Sequence, residues 1–149
     1  GLGSIPHILH KYHNIHTHFT AVEIDPVVVG MAQRYGNLPE GSQVHWINAD
    51  ALSYITYTKE MYDLICIDVF IDEHVPQPFL RDEFLKETVK LLKPNGRVLF
   101  SHMVSTPAEK EAVKAYFDTT FNAYLTNTSI IDTGGNWVLH GTTKPVTNN

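Results

Sequence analysis

The carboxylate of Glu23 is the strongest candidate in this sequence for contacting a ligand. The chain opens with the turn Gly1-Leu2-Gly3-Ser4, and Glu23 follows twenty residues after Gly3. Glu23 ends an apolar run that starts at Phe19. In α/β folds, a glycine-rich turn followed at this distance by an acid at a strand end binds the adenosine part of a cofactor. The glycines let the backbone approach the ligand, and the carboxylate accepts hydrogen bonds from ribose hydroxyl groups. The spacing therefore predicts that Gly1, Gly3 and Glu23 contact an adenosine cofactor.

Two further acids follow predicted strands in the same way. Asp50 comes after the strand 44–47, and Asp68 comes directly after the apolar run 64–67. Ligands of parallel sheets bind outside the carboxyl ends of the strands, so we expect Glu23, Asp50 and Asp68 along one edge. Asp50 also precedes a predicted helix, where Asp commonly caps the first turn, and the sequence favours neither role. Asp68 is not an obvious cap, and we expect its carboxylate to be partly desolvated.

The elements that must position these acids alternate between helix and strand. The pattern predicts helices over 5–12, 26–35, 51–57, 79–92 and 107–117, and strands over 19–23, 44–47, 62–68, 98–101, 123–131 and 137–141. This alternation indicates one α/β domain over residues 1–149, with a doubly wound, mainly parallel sheet. The turn at Gly134-Gly135 indicates a C-terminal antiparallel hairpin.

Three local features refine that prediction. The uninterrupted run 64–67 is typical of a parallel strand buried on both faces. Ser4 is the predicted cap of the first helix. Because a glycine-rich turn of this kind normally follows a buried strand, we expect an apolar strand upstream of Gly1, within a longer protein.

The composition excludes several classes of function. The chain has 149 residues, of which 43% are hydrophobic and 18% charged, as expected for a globular domain rather than a disordered one. A net charge of -5 argues against a broad nucleic-acid-binding surface. Cys66 is the single cysteine, which fits a reducing compartment, and we expect a cytoplasmic protein. No apolar run approaches the roughly 20 residues of a membrane span.

Histidine is abundant, with nine residues in all and a cluster at the start of the chain: His7, His10, His13, His16 and His18. Zinc or nickel binding is conceivable for such a cluster, but it contains no cysteine or carboxylate. We interpret it as a solvated surface and expect no metal site. His102, just beyond the predicted strand 98–101, is a candidate to face the ligand cleft.

Five segments, taken in order and spacing, resemble the class I S-adenosylmethionine-dependent methyltransferases, and within them the spermidine synthase-like branch. These segments are Gly1-Leu2-Gly3, then 22–28, 48–51, 62–68 and 91–98. The closing hairpin is similar to the antiparallel last strands of that superfamily. The resemblance covers nearly all of the chain and implies a Rossmann-like methyltransferase fold.

The resemblance also implies roles for individual residues toward S-adenosyl-L-methionine or its decarboxylated form. Gly1 and Gly3 would pass beneath the methionine part of the cofactor. Glu23 would bind the ribose. Asp50 would accept the adenine amino group, with the backbone of Ala51 close to the base.

Asp68 is the residue to which the resemblance assigns catalysis. It would face the amino group of the cofactor or the substrate and help take up the proton of an attacking amine. The resemblance is incomplete where the glycine loop would continue, at Ile5 and Pro6. Spermidine synthases also carry a second acid three residues after the first, where this chain has Ile71, with Asp72 one position further on.

Methyl transfer from S-adenosylmethionine to a small or amine-bearing substrate is the leading functional interpretation. Aminopropyl transfer from the decarboxylated cofactor, as in polyamine synthesis, is the alternative. A non-catalytic nucleoside-binding or interaction domain comes third, and a nicotinamide-binding domain fourth. We expect a small-molecule substrate, no nucleic acid and no membrane, and leave a homo-oligomer open.

Overall fold

A computed structural model describes residues 3–36, 38 and 43–143 of the chain. These residues belong to two compact units, Gly1–Tyr57 and Thr58–Asn149, which are described separately. Within the described ranges, every helix is too short or too polar to span a membrane.

The first unit contains a β-α-β arrangement preceded by one helix and followed by another. Its elements are α1 (Ser4–His13), β1 (His18–Glu23), α2 (Pro26–Tyr35), β2 (Gln43–Asn48) and α3 (Ala51–Tyr57). Strands β1 and β2 are parallel, and Glu23 pairs with Asn48 at their carboxyl ends. The register therefore places the end of β1 beside the end of β2.

Helix α2 has the predicted bounds because its first turn is capped. The Oδ1 atom of Asp25 accepts a hydrogen bond from the Val27 N–H at 2.8 Å, and Pro26 occupies the first helical position. Both features stabilise a helix start. Val29 and Ala32 form its buried face. Helix α2 thus begins directly after the turn that carries Glu23.

Helix α1 begins differently from the prediction. The residue at its N-cap position is Gly3, with a φ of 87°, and Ser4 is already helical, so the prediction that Ser4 caps the helix is wrong. The reason is the left-handed backbone at this position, which glycine adopts without the steric cost of a Cβ atom.

The second unit is a four-stranded sheet with the order β3-β4-β6-β5. Its elements are β3 (Tyr62–Ile67), a 3-10 turn (Gln77–Leu80), α4 (Asp82–Lys90), β4 (Leu92–Met103), α5 (Pro107–Tyr116), a π-helical turn (Phe117–Phe121), α6 (Asn122–Tyr124), β5 (Thr126–Asp132) and β6 (Asn136–Thr142). Strand β3 is parallel to β4, whereas β6 is antiparallel to both β4 and β5. The predicted α/β class, with parallel pairing and a C-terminal antiparallel hairpin, is confirmed.

The core of the second unit is largely aromatic and aliphatic. Its most deeply buried apolar side chains include Leu85, Val98, Phe100, Phe121 and Leu139. Leu85 comes from α4, and Val98 and Phe100 alternate along β4. This packing fixes β4 and therefore the carboxyl end of β3 beside it.

Three further predicted elements differ from the structure. The single helix predicted over 79–92 is a 3-10 turn and α4, separated at Arg81, whose ψ of 148° is extended. The strand predicted over 98–101 starts six residues earlier, because segment 93–96 bulges out of β4 around Asn95, with a φ of 63°. The strand predicted from residue 123 begins only at Thr126, since Asn122–Tyr124 is helical.

Candidate functional site

The turn after β1 holds the carboxylate of Glu23 through a short local hydrogen bond. The backbone N–H of Asp25 donates to Oε1 of Glu23 at 3.0 Å. The side chain of Glu23 is half-buried. Glu23, the residue predicted to bind the ribose, is therefore an acid at the carboxyl end of a parallel strand. This is the position where ligands of such sheets bind.

Asn48, at the end of β2, bridges this turn to the neighbouring strand. Its Nδ2 atom donates to the carbonyl oxygens of Glu23 at 3.0 Å and of Ile24 at 2.9 Å. The N–H of Ala49 also donates to the Glu23 carbonyl, at 3.1 Å. Sequence reasoning assigned no role to Asn48; the only available signal was an amide side chain at the end of the strand that follows β1.

Asp50 caps helix α3. Its Oδ1 atom accepts from the Leu52 N–H at 3.0 Å, and its Oδ2 atom accepts from the Ser53 hydroxyl at 3.3 Å. The capping role is confirmed, and contact of Asp50 and Ala51 with adenine stays a prediction. Since Asp50 lies two positions beyond Asn48, it belongs to the same sheet edge as Glu23.

The glycine turn is represented by Gly3, because Gly1 lies outside the described residues. Gly3 has a positive φ, and a Cβ atom there would lie 3.0 Å from Cδ2 of Leu38. Its carbonyl accepts from the His7 N–H at 3.1 Å, which starts α1. A side chain at this position would therefore strain the backbone and crowd Leu38; contact with a cofactor stays a prediction.

Asp68 directly follows β3 in the second unit. Ile67 pairs with Phe100, so the next position on β3 is level with Ser101 of β4. The side chain of Asp68 is exposed, and the expectation of partial desolvation is wrong. Glu23 and Asp50 share one sheet edge of the first unit. That Asp68 lies along the same edge stays a prediction.

Burial along β3 increases toward Asp68. Leu64 is 37% exposed, whereas Ile67 is only 6% exposed, so the predicted burial on both faces does not extend over the whole run.

Burial and, secondly, the charge of Asp68 raise the pKa of the Cys66 thiol to about 11. A desolvated thiol of this kind is protonated at neutral pH and is a poor nucleophile.

His102 is buried rather than directed at a cleft, so its candidate role as a cleft residue is wrong. Its side chain is 3% exposed, and its ring lies 4.3 Å from Phe100 and 5.9 Å from Tyr116 between centroids. Burial lowers the pKa of His102 to about 4. Its Nε2 atom and the Tyr116 hydroxyl have no hydrogen-bond partner among the described residues.

The histidine cluster near the start of the chain provides two rings in contact. The centroids of His10 and His16 are 4.2 Å apart, and Nε2 of His16 lies 2.8 Å from Oδ1 of Asn14. Within residues 3–36, 38 and 43–143, no three His, Cys, Asp or Glu side chains are grouped so as to hold a metal ion.

The architecture is similar to that of solved proteins with a Rossmann-like methyltransferase fold. Human methyltransferase-like protein 13, solved in complex with SAH, superimposes with a TM-score of 0.76 at 23% identity, covering 100% of this chain and 71% of that one. A probable spermidine synthase from Corynebacterium glutamicum superimposes with a TM-score of 0.77 at 20% identity, covering 95% of this chain and 53% of that one. At these identities the similarity establishes the fold.

The sequence identifies the family to which the chain belongs. The spermine/spermidine synthase domain family matches residues 1–140, and the chain belongs to that family. A polyamine aminopropyltransferase from Vibrio vulnificus is 32% identical over 142 residues, covering 93% of this chain and 46% of that protein. An N-terminal histidine N-methyltransferase from Emericella nidulans is 32% identical over 129 residues, covering 80% and 22% respectively. The chain thus spans less than half the length of these curated relatives, which are both transferases.

Proposed function

We propose that this chain is the cofactor-binding part of an S-adenosylmethionine-dependent transferase that moves a methyl group to a small, amine-bearing substrate. The observation that carries the proposal is the position of Glu23 at the carboxyl end of β1, beside the end of β2. A carboxylate there accepts hydrogen bonds from vicinal ribose hydroxyls, and such charge-assisted bonds are stronger than neutral ones.

Asp50 and Ala51 would complete the nucleoside site on the same edge. A capping carboxylate retains further acceptor capacity, because two oxygens provide about four lone-pair positions. Asp50 can therefore cap α3 and, at the same time, accept a hydrogen bond from the adenine amino group. Gly1 and Gly3 would keep side chains away from the methionine part of the cofactor.

The chemical step needs orientation more than covalent assistance from the protein. The nitrogen lone pair of the acceptor forms a bond to the methyl carbon while the carbon–sulfur bond breaks. The bonding electrons move to sulfur, which becomes the neutral thioether of S-adenosylhomocysteine. We assign to Asp68 the proton that the amine must lose to be nucleophilic, since its exposed carboxylate can pass that proton to water.

Aminopropyl transfer is the second candidate, and its support is the family match and the Vibrio vulnificus relative. One feature of the chain favours methyl transfer. The position three residues after Asp68 is Ile71, which is 67% exposed and forms a tight turn with His74 through backbone hydrogen bonds of 2.9 and 3.1 Å. Ile71 cannot supply the second acid that the spermidine synthase pattern has at this position.

The two reactions leave different products from the cofactor, which provides a direct test. The full-length protein is incubated with a mixture of small amines and either S-adenosylmethionine or its decarboxylated form. Methyl transfer releases S-adenosylhomocysteine, whereas aminopropyl transfer releases methylthioadenosine. We expect S-adenosylhomocysteine, at a rate lowered in Asp68→Asn and unchanged in Glu111→Gln, which removes an exposed acid from α5. Methylthioadenosine would establish the second candidate, and neither product would favour a non-catalytic domain.

A further inference from the structure

The hydrogen bonds at the end of β2 assign a positioning role to Asn48: we infer that its side-chain amide sets the direction of the Glu23 carboxylate and thereby the recognition of the ribose hydroxyls. This inference rests on the proposed function. It concerns a residue that would not itself touch the cofactor.

The geometry around the Asn48 amide leaves one assignment for its NH₂ group. Both neighbouring acceptors, the carbonyls of Glu23 and Ile24, lie within 3.0 Å of the same atom. Carbonyl oxygens only accept hydrogen bonds, so the nitrogen of the amide, with its two N–H donors, faces them rather than the amide oxygen. Asn48 therefore fixes the two successive peptide groups that follow the Cα atoms of Glu23 and Ile24. These groups set the direction of the chain after β1 and the orientation of the Glu23 side chain.

The amide is one part of a small network that closes the turn. The Ala49 N–H donates to the same Glu23 carbonyl at 3.1 Å. The Asp25 N–H donates to Oε1 of Glu23 at 3.0 Å, and Asp25 in turn caps α2. The backbone and the carboxylate of Glu23 are thus held by separate partners: residues 48 and 49, at the end of β2, bind the backbone carbonyl, and the residue that caps α2 binds the carboxylate.

Preorganisation of this kind has a specific consequence for binding. A carboxylate already aimed at the ribose pays little ordering entropy when the ligand arrives. Without the Asn48 donors, the Ile24 carbonyl loses this partner, and the turn samples more backbone directions. The loss then falls selectively on the ribose contacts, whereas a strand that is merely weakened would lose affinity for every part of the ligand equally.

Two probes separate these outcomes: S-adenosylhomocysteine and its 2′-deoxyribose analogue. Their dissociation constants are measured by calorimetry with the full-length wild type, Asn48→Ala and Gln43→Ala. Gln43 is a matched control, because it also carries an amide side chain in β2 but stands at the amino end of the strand. Circular dichroism and thermal melting establish that each variant is folded. Asn48→Asp, which has the same size but no side-chain N–H donor, gives a second measurement if Asn48→Ala does not fold.

In the wild type and Gln43→Ala, we expect removal of the hydroxyl to weaken binding by about tenfold, the loss of one charge-assisted hydrogen bond. In Asn48→Ala the same ratio should fall to about threefold or less, since a misdirected carboxylate recognises the hydroxyl poorly. An unchanged ratio in a folded Asn48 variant would overturn the positioning role and leave the proposed function standing. Absence of any binding by the wild type would overturn both.

Discussion

Removal of the Glu23 carboxylate is the perturbation that bears most heavily on the cofactor site. In the proposed complex, Glu23 accepts two hydrogen bonds from ribose hydroxyls. Each such bond to an ionised acceptor contributes about 1.5–3 kcal/mol net of the exchange with water. Loss of even one of the two bonds therefore exceeds about 1.4 kcal/mol, which corresponds to a tenfold change in affinity. We therefore expect Glu23→Ala to weaken S-adenosylmethionine binding by at least about tenfold.

The same substitution should leave the fold intact. Glu23 is half-buried at the sheet edge, and its hydrogen bond from the Asp25 N–H is exposed, so water can replace the lost acceptor. Glu23→Gln retains an oxygen for that N–H while removing the charge, so it separates ligand binding from turn structure. Calorimetry on the full-length protein measures the affinity, and Glu111→Ala is the control for loss of an exposed acid. Equal affinities in the wild type and Glu23→Ala would refute the assignment of the ribose to Glu23.

Three further predictions concern the second unit. Asp68→Asn should mainly lower turnover and change adenosine affinity little. Because the charge of Asp68 contributes to the raised pKa of the Cys66 thiol, the same substitution should also speed alkylation of Cys66. In the wild type, the pKa of about 11 should make Cys66 react about a hundredfold more slowly than a free thiol at pH 8. His102 binds its proton less readily in the folded chain, with a pKa of about 4 against 6.5, so its stabilising contribution is complete above pH 6.5 and is lost as the pH falls toward 4. This loss reaches at most about 3 kcal/mol in urea melts, and His102→Phe should remove that part of the pH dependence; an identical pH profile in the variant would contradict it. Gly141→Ala should destabilise the chain by about 1–3 kcal/mol, because a Cβ would lie 2.8 Å from Cβ of Leu125; Gly135→Ala, with open space around it, is the matched control, and equal melting temperatures would contradict the packing.

The parts of the fold that were predictable from sequence are those with local signals at both ends. Helices α2 and α3 have the predicted bounds because Asp25 and Asp50 cap them where the apolar pattern begins. The long helix predicted over 79–92 failed because apolar spacing alone does not reveal the extended residue Arg81 or the strand that begins at Leu92. Long-range pairing between β3 and β4 decides that boundary, and such pairing leaves no local pattern.

The candidate site shows the same division. Residue type and spacing were sufficient to place Glu23 at the end of β1 and Asp50 after β2. The exposure of Asp68 and the burial of His102 depend on which side chains pack against each strand end. Local sequence patterns do not predict those tertiary contacts. The role of Asn48 was likewise invisible, because its partners are backbone carbonyls more than twenty residues earlier.

A crystal structure of the full-length protein with S-adenosylhomocysteine tests the central claim most directly. The measurement is the distance from the ribose hydroxyl oxygens to the Glu23 carboxylate. We expect both hydroxyls within about 3 Å of that carboxylate, with the adenine amino group beside Asp50. A nucleoside bound elsewhere, or a ribose turned away from Glu23, would contradict the proposed cofactor site.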